Sequence, residues 1–116
     1  MDNSLFVEVR EAISQWITSN NERLRNNNIS LEILKDDKDC LRVELNFGKL
    51  LAEILVAEPD FAPYRYVSFQ AVGVVNGVPN FVHFWYDEDG MGIKEVIKNL
   101  DKAVTIVWEK NNSQGT

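Results

Sequence analysis

Residues 41–57 read LRVELNFGKLLAEILVA, and this stretch decides the fold. Its first seven residues alternate between apolar and polar side chains, a period of two that is typical of a β-strand with one buried face. Gly48 and Lys49 interrupt the pattern, which predicts a turn, and residues 50–57 are apolar enough to form the next strand. So short a connection favours an antiparallel pair, because parallel strands need a long crossover between them.

A helix and a strand are predicted before this hairpin. Apolar side chains recur at spacings of three and four in residues 4–27, which is the pattern of an amphipathic helix. A run of three asparagines ends the helix, since asparagine adopts left-handed conformations readily and continues a helix poorly. The period then changes to two in residues 29–33, which predicts a strand, and the polar residues 36–39 predict the turn into residue 41.

Two strands and a second helix are predicted after the hairpin. A connection that contains two prolines comes first, and it must be a bent loop because proline cannot donate to a neighbouring strand. Residues 64–75 and 81–87 are rich in β-branched and aromatic side chains, and Asn76-Gly77 between them is a strong signal for a two-residue hairpin turn. Helical spacing returns in residues 91–109, although the end of that segment is also β-prone.

The predicted order is therefore helix, five strands, helix, which defines an α+β fold with a single domain over residues 1–116. Short connections favour an antiparallel meander, with both helices packed on one face of the sheet. The polar residues 111–116 are expected to fray. At 1.5 Å per residue the first helix is about 36 Å long, so an overhanging end would offer a surface for a homodimer.

The charge of the chain limits its partners. Eighteen Asp and Glu residues against twelve Lys and Arg residues leave a net charge of −6 at pH 7. This charge opposes the electrostatic attraction on which binding to nucleic acid or to an anionic lipid surface mostly rests. The aromatic side chains around Arg65 could stack on bases, but platforms of that kind lie in positive grooves. We therefore expect neither nucleic acid nor a membrane as a partner.

Cysteine use and the start of the chain indicate a cytoplasmic protein. Cys40 is the only cysteine, so no intramolecular disulfide can form, and a small secreted domain would normally need one. The first residues lack the basic and apolar regions of a signal peptide. No window approaches the roughly 20 apolar residues of a membrane-spanning helix.

The sequence contains no recognisable catalytic, metal or cofactor motif. His83 is the only histidine and could act as a general base, but no nucleophile motif accompanies it. Residues 87–90 are three acids and a glycine, yet a calcium loop needs Gly at position 6 and Glu at position 12. The glycines at 73–77 and 90–92 lack the lysine of a phosphate-binding loop. The sequence therefore predicts a protein that is not an enzyme and that holds no cofactor or metal.

Acidic residues are concentrated in alternate connections of the predicted sheet. Alternate connections of a meander lie at the same end, so the turn at 36–39, the loop at 58–63 and the residues after the fifth strand share one end. Such loops lie about 10 Å apart, close to the ~8–10 Å screening length in physiological salt, so their fields reinforce one another. We interpret this end as a candidate binding surface for a basic protein partner. Its eight acids are Asp36, Asp37, Asp39, Glu58, Asp60, Asp87, Glu88 and Asp89.

Part of the chain resembles a class of bacterial proteins. The similarity spans residues 50–104 and is carried by Pro63-Tyr64-Arg65-Tyr66-Val67-Ser68-Phe69, by Phe84-Trp85-Tyr86-Asp87, and by the spacing of Ile93, Val96, Ile97, Leu100 and Asp101. These segments resemble small immunity proteins of polymorphic toxin and contact-dependent growth inhibition systems. The resemblance implies a non-enzymatic cytosolic protein that binds and blocks one cognate toxin domain. Many such toxin domains are nucleases with basic substrate grooves, which an acidic protein can occupy.

Two other classes stay open from the sequence. A dimeric secretion-type chaperone is also small, acidic and α+β, and it holds an extended effector segment against its sheet. In this chain a proline-bearing loop replaces the helix that such chaperones place between strands. An enzyme that uses His83 with an acidic residue is the third class, and it lacks a catalytic constellation. A chaperone should be a homodimer, whereas an immunity protein should form a tight complex with one folded domain.

Overall fold

The computed structural model describes residues 4–58 and 65–113. Neighbouring strands in the sheet are also neighbours in the sequence, in the order β1-β2-β3-β4-β5, and each pair is antiparallel. The elements are α1 (Ser4–Asn26), β1 (Ser30–Asp37), β2 (Cys40–Asn46), β3 (Leu51–Ala57), β4 (Val67–Val75), β5 (Val78–Tyr86) and α2 (Ile93–Ser113). The predicted α+β fold, with a five-stranded meander between two helices, is confirmed.

One face of the sheet packs against both helices. Val43, Ile54 and Phe69 lie opposite one another on β2, β3 and β4, and all three are fully buried. Burial of a side chain of this size contributes about 1.5–3 kcal/mol, so this face supplies most of the core. The helices cover it with their apolar stripes: Phe6, Val9, Ile13, Trp16, Ile17 and Leu24 of α1, and Val96, Leu100, Ala103, Val104 and Val107 of α2.

Polar contacts fix the two helices relative to each other, and a residue in a left-handed conformation ends α1. The carboxylate of Asp101 on α2 accepts hydrogen bonds from Trp16 Nε1 at 3.2 Å and from Arg23 Nη2 at 2.8 Å, both on α1. Asn28 has a positive φ of 63°, and the N–H of Ile29 donates to the carbonyl of Leu24 at 2.9 Å. This arrangement ends α1 at the asparagine run, as predicted from the ability of asparagine to adopt a left-handed conformation.

The C-terminal end of α2 differs from the prediction. Residues 111–113 are helical, so the expectation that they fray is wrong, and residues 114–116 lie outside the described part of the chain. Asn111 is buried, and its Oδ1 accepts hydrogen bonds from the N–H groups of Lys49 at 2.8 Å and Leu50 at 2.9 Å. A polar residue that was expected in a loose tail therefore ties α2 to the turn between β2 and β3, because it satisfies two backbone donors there.

Several strand ends are shifted by a few residues from their predicted positions. Asp36 and Asp37 belong to β1, so the polar turn is shorter than residues 36–39. β5 begins at Val78 and ends before Asp87. The predicted proline loop, residues 58–63, lies outside the described part of the chain apart from Glu58. In the described residues, neither helix has the length and apolar character needed to cross a bilayer.

Candidate functional site

The acidic connections lie at one end of the sheet, as the meander requires. The structure brings Asp36, Asp37 and Asp39 together around the turn between β1 and β2, and Glu88 and Asp89 follow β5 at the same end. Glu58 is exposed directly after β3, and the predicted site residue Asp60 lies outside the described residues. The predicted grouping is therefore present in outline, but its members differ in what they contact.

Asp87 does not project into solvent, and the expectation that it does is wrong. It is fully buried, and its Oδ1 accepts hydrogen bonds from the backbone N–H groups of Arg65, Tyr66 and Val67 at 3.0, 2.8 and 2.9 Å. Its Oδ2 lies 3.1 Å from Nε of Arg65, whose Nη1 donates to the carbonyl of Met91 at 3.2 Å. The carboxylate neutralises the Arg65 guanidinium and accepts hydrogen bonds from three amides, so it joins the start of β4 to the end of β5, and a partner cannot reach it.

Two other acids of the predicted site are engaged within the molecule. Asp36 forms an ion pair with Nη2 of Arg10 on α1, and Nε of Arg10 donates to the carbonyl of Asp37 at 3.0 Å. Oδ1 of Asp37 accepts from the N–H groups of Asp39 and Cys40, both at 2.9 Å. The N–H of Asp39 is the main reason that the pKa of the Asp37 carboxyl is lowered below its usual value, and Cys40 and Lys35 act in the same direction.

Among the seven described acids of the predicted site, Asp87 is the exception in being buried. The exposed members are Asp36, Asp37, Asp39, Glu58, Glu88 and Asp89. Within the described residues, no group of three or more histidine, cysteine and acidic side chains could hold a metal ion. What this end can supply is a negative field for a basic partner.

His83 lies on the side of β5 that faces the helices. Its ring is 6.1 Å from that of Phe69, measured between centroids, and Nζ of the nearby Lys110 donates to the carbonyl of Val82 at 3.0 Å. Burial lowers the pKa of His83 below 6.5, and the charge of Lys110 lowers it further. Neither a phenyl ring nor an ammonium group orients an imidazole for proton transfer as a carboxylate would, so these contacts provide no catalytic arrangement.

The sequence reasoning missed the face of the sheet that the helices leave uncovered, which we call the open face. Its apolar half lies on β3, β4 and β5, where Leu51, Val72 and Phe81 stand in one row across the three strands. Phe81 is 69% exposed and Phe84 is 46% exposed, and the ring of Phe84 lies 5.4 Å from that of Tyr86. Exposed aromatic side chains that adjoin one another are unusual on a surface that contacts only water.

A β-bulge places both phenylalanines on this face. Ala71 is opposite His83, but the next residue of β4, Val72, is opposite Phe81, so β5 has one extra residue at Val82. Simple alternation would put Phe81 and Phe84 on opposite faces, and the bulge instead puts both on the open face while Val82 packs against the core. The aromatic composition of β5 was visible in the sequence, but the side on which each ring lies was not.

An acidic row crosses the open face on β1, β2 and β3, beside the directly opposed bases Lys35 and Arg42. Glu32 is directly opposite Glu44, and Glu44 is directly opposite Glu53, which gives an acidic row across three strands. Glu53 is neutralised by Nη2 of Arg42 at 3.0 Å, whereas no ion pair joins Glu32 or Glu44 to a base in the described residues. Like charges directly opposite each other destabilise a sheet, so this pair has a cost that a positive group of a partner would remove.

Comparison with known proteins adds no family to this description. No protein-family model matches the chain, and neither a curated protein nor a solved structure is significantly similar to it.

Proposed function

We propose that this chain is a non-enzymatic, cytoplasmic binding protein that forms a complex with one protein partner. Within that class we propose an immunity protein, which blocks a cognate toxin domain by covering it. The resemblance of residues 50–104 to immunity proteins supports this proposal, as does the negative charge, which suits a basic toxin surface such as the groove of a nuclease.

The observation that carries the proposal is the apolar half of the open face. Phe81 and Phe84 are large aromatic side chains that a monomer gains little by exposing, and Leu51, also exposed, extends the same surface. Interfaces are enriched in aromatic anchors of this kind, because each buries a large area with few rotatable bonds. The open face thus offers binding area, whereas the acidic end offers only attraction at a distance.

A secretion-type chaperone is the second candidate, and the open face favours it as well. A sheet face without a helix is a surface against which an effector segment can be held. The two candidates differ in stoichiometry and in the state of the partner. An immunity protein binds one folded domain, whereas a chaperone forms a homodimer that binds unfolded segments of its effectors.

Affinity capture from the cells that express the protein tests the proposal, followed by sizing of the intact complex. We expect one folded partner in a one-to-one complex, with a toxic activity that is lost when the complex forms. Phe84→Ser should lose the partner, and Val7→Ser should retain it, because Val7 is an equally exposed apolar residue on α1, away from the open face. A dimer that carries several unfolded effectors would favour the chaperone, and a partner that binds both variants equally would contradict the role of the open face.

A further inference from the structure

We infer that the open face binds a cationic amphipathic helix of the partner, which lies across the strands with its apolar residues over β4 and β5 and its basic residues over β1 and β2. This inference rests on the proposed function and specifies the chemistry of the surface that the partner presents. Its basis is that the face is divided into two halves across the strands, one apolar and one charged, in which an acidic row lies beside the bases Lys35 and Arg42.

A single row of residues crosses both halves. Glu32, Glu44 and Glu53 continue in register to Gln70 and then to Phe84, so charge changes to aromatic character along one line perpendicular to the strands. Neighbouring strands lie about 4.8 Å apart, which puts Phe84 about 14 Å from Glu44. An occupant that satisfies both ends must therefore extend across at least four strands.

The pair Glu32 and Glu44, which forms no ion pair within the described residues, defines the charge of the occupant. Glu53 has Arg42, and Lys35 lies 3.7 Å from Oδ2 of Asp37, so the basic residues of this region already have acidic partners. Glu32 and Glu44 face each other across the β1–β2 pair, and neither forms an ion pair within the described residues, although the charge of Arg42 acts on Glu44. A lysine or arginine placed between the two carboxylates would turn a repulsive pair into two attractive contacts.

A helix fits this face better than an extended segment does. An extended chain laid on the face of a sheet leaves its own N–H and C=O groups without partners where it crosses the apolar half, and each buried group left so costs about 1–3 kcal/mol. A helix satisfies these groups internally. On a helix, a lysine eleven residues from an apolar anchor lies on the same side and about 16 Å away, which matches the separation of the two halves.

A second copy of the chain fits the open face less well. If two open faces pack about a twofold axis along the strands, the glutamates of one copy lie on the phenylalanines of the other. If the axis runs across the strands, the glutamates meet glutamates. Both arrangements bury charges without counter-ions or oppose like charges, so charge complementarity favours a basic partner over self-association.

The test uses synthetic helices as probes. One peptide of 20 residues carries leucines at one end of a single face and two lysines at the other end of that face. A matched peptide has glutamates in place of the lysines, and a third has serines in place of the leucines. Fluorescence anisotropy measures the Kd of each, and amide NMR shifts map the contact. We expect the lysine peptide to bind at least about tenfold more tightly than either control, with shifts along the row from Glu32 to Phe84.

Variants of the protein separate the two halves. Phe84→Ser should raise the Kd of the protein for the lysine peptide at least about tenfold. The double variant Glu32→Lys with Glu44→Lys should reverse the preference between the lysine and glutamate peptides. The matched control is Glu95→Lys with Glu109→Lys, which makes the same change of net charge on exposed positions of α2 and should leave both affinities unchanged.

Four outcomes would overturn the inference: equal binding of the lysine and glutamate peptides, no binding of any peptide, amide shifts confined to the helices, and self-association that covers the open face. The experiments distinguish a failure of this inference from a failure of the proposed function. If a folded partner is captured and lost with Phe84→Ser while the peptides fail, the partner binds here through another chemistry. If the peptides bind as expected and no partner is captured, the surface is assigned and the proposed function fails.

Discussion

At the scale of single residues, the buried ion pair of Arg65 and Asp87 stabilises the end of the sheet where β4 begins and β5 ends. Asp87 accepts four hydrogen bonds, three from consecutive backbone amides and one from the guanidinium, and it is fully buried. Removal of one partner of a buried ion pair leaves an uncompensated charge, which is far more costly than loss of an exposed pair. Asp87 is thus a structural residue, although its neighbours Glu88 and Asp89 are exposed acids.

We expect Asp87→Ala to lower the free energy of unfolding by about 3–5 kcal/mol, because it strands the Arg65 guanidinium and three amides in the interior. Asp89→Ala removes the same kind of side chain at a position two residues further along the chain. Because Asp89 is exposed, this change should alter the free energy of unfolding by less than about 0.5 kcal/mol. Urea unfolding of both variants measures the difference. A loss of less than about 1 kcal/mol for Asp87→Ala would contradict the role assigned to this pair.

His83 gives stability a dependence on pH whose sign follows from its surroundings. Burial, and then the charge of Lys110, lowers the pKa of His83 in the folded state below 6.5. As the pH falls through about 6.5 the unfolded chain takes up this proton first, so the contribution of neutral His83 is complete above that pH and is lost as the pH falls towards the folded-state pKa.

We therefore expect the wild type to lose stability relative to His83→Gln as the pH is lowered from about 7.5 to about 5.5, a window above the range in which carboxylates titrate. Urea unfolding at each pH measures this difference, and NMR titration of the imidazole gives the pKa directly. Lys110→Gln should raise the pKa of His83 towards 6.5, because it removes the nearby positive charge. A folded-state pKa above 6.5 in the wild type would reverse the sign and refute the account.

Asp87 and Asn111 differ from their predicted environments for one physical reason. Asp87 is buried because Arg65, Tyr66 and Val67 lie beside it, and these residues are twenty or more positions away in the chain. An aspartate after a strand looks the same in the sequence whether it faces water or holds three amides. The burial of Asn111 could not be predicted for the same reason, since its partners Lys49 and Leu50 are more than sixty positions away.

At the scale of elements, the order and type of every helix and strand could be predicted, because the signals are local. The period of two in residues 41–47, the asparagines after α1 and the Asn76-Gly77 turn each act within a few residues. The bulge at Val82 could not be predicted, because it depends on how β5 registers with β4. The open face could not be predicted as a consequence, since its two most exposed aromatic side chains, Phe81 and Phe84, lie on the same face only through that bulge.

The hairpin between β4 and β5 sets this register, and its turn depends on one glycine. Asn76 and Gly77 have φ values of 53° and 80°, which suit a type I′ turn. We expect Gly77→Val to lower the free energy of unfolding by about 1–2 kcal/mol, because a β-branched residue is strained at positive φ. Gly77→Asn should cost less than half as much, since asparagine tolerates that region, and equal losses in urea unfolding would show that the turn geometry is not the cause.

At the scale of the whole molecule, the acidic end of the sheet is separate from the apolar half of the open face. The helices fill one face of the sheet, the open face carries the aromatic side chains, and Asp39, Glu88 and Asp89 are exposed at one end. Charges at the rim of an interface mainly change the rate of association, whereas buried aromatic anchors mainly change the rate of dissociation. The two surfaces can therefore be distinguished by kinetics with the captured partner.

The double variant Glu88→Lys with Asp89→Lys should slow association with that partner several-fold at low salt and weaken the dependence of the rate on salt, because it reverses the field at the acidic end. Asp87 is left unchanged, since reversal of that buried carboxylate would unfold the chain. Glu95→Lys with Glu109→Lys makes the same change of net charge on α2 and should slow association less. Stopped-flow mixing at about 50 mM and about 500 mM salt measures the association rates of both double variants. Equal rates for the two would show that net charge alone, rather than the acidic end, attracts the partner.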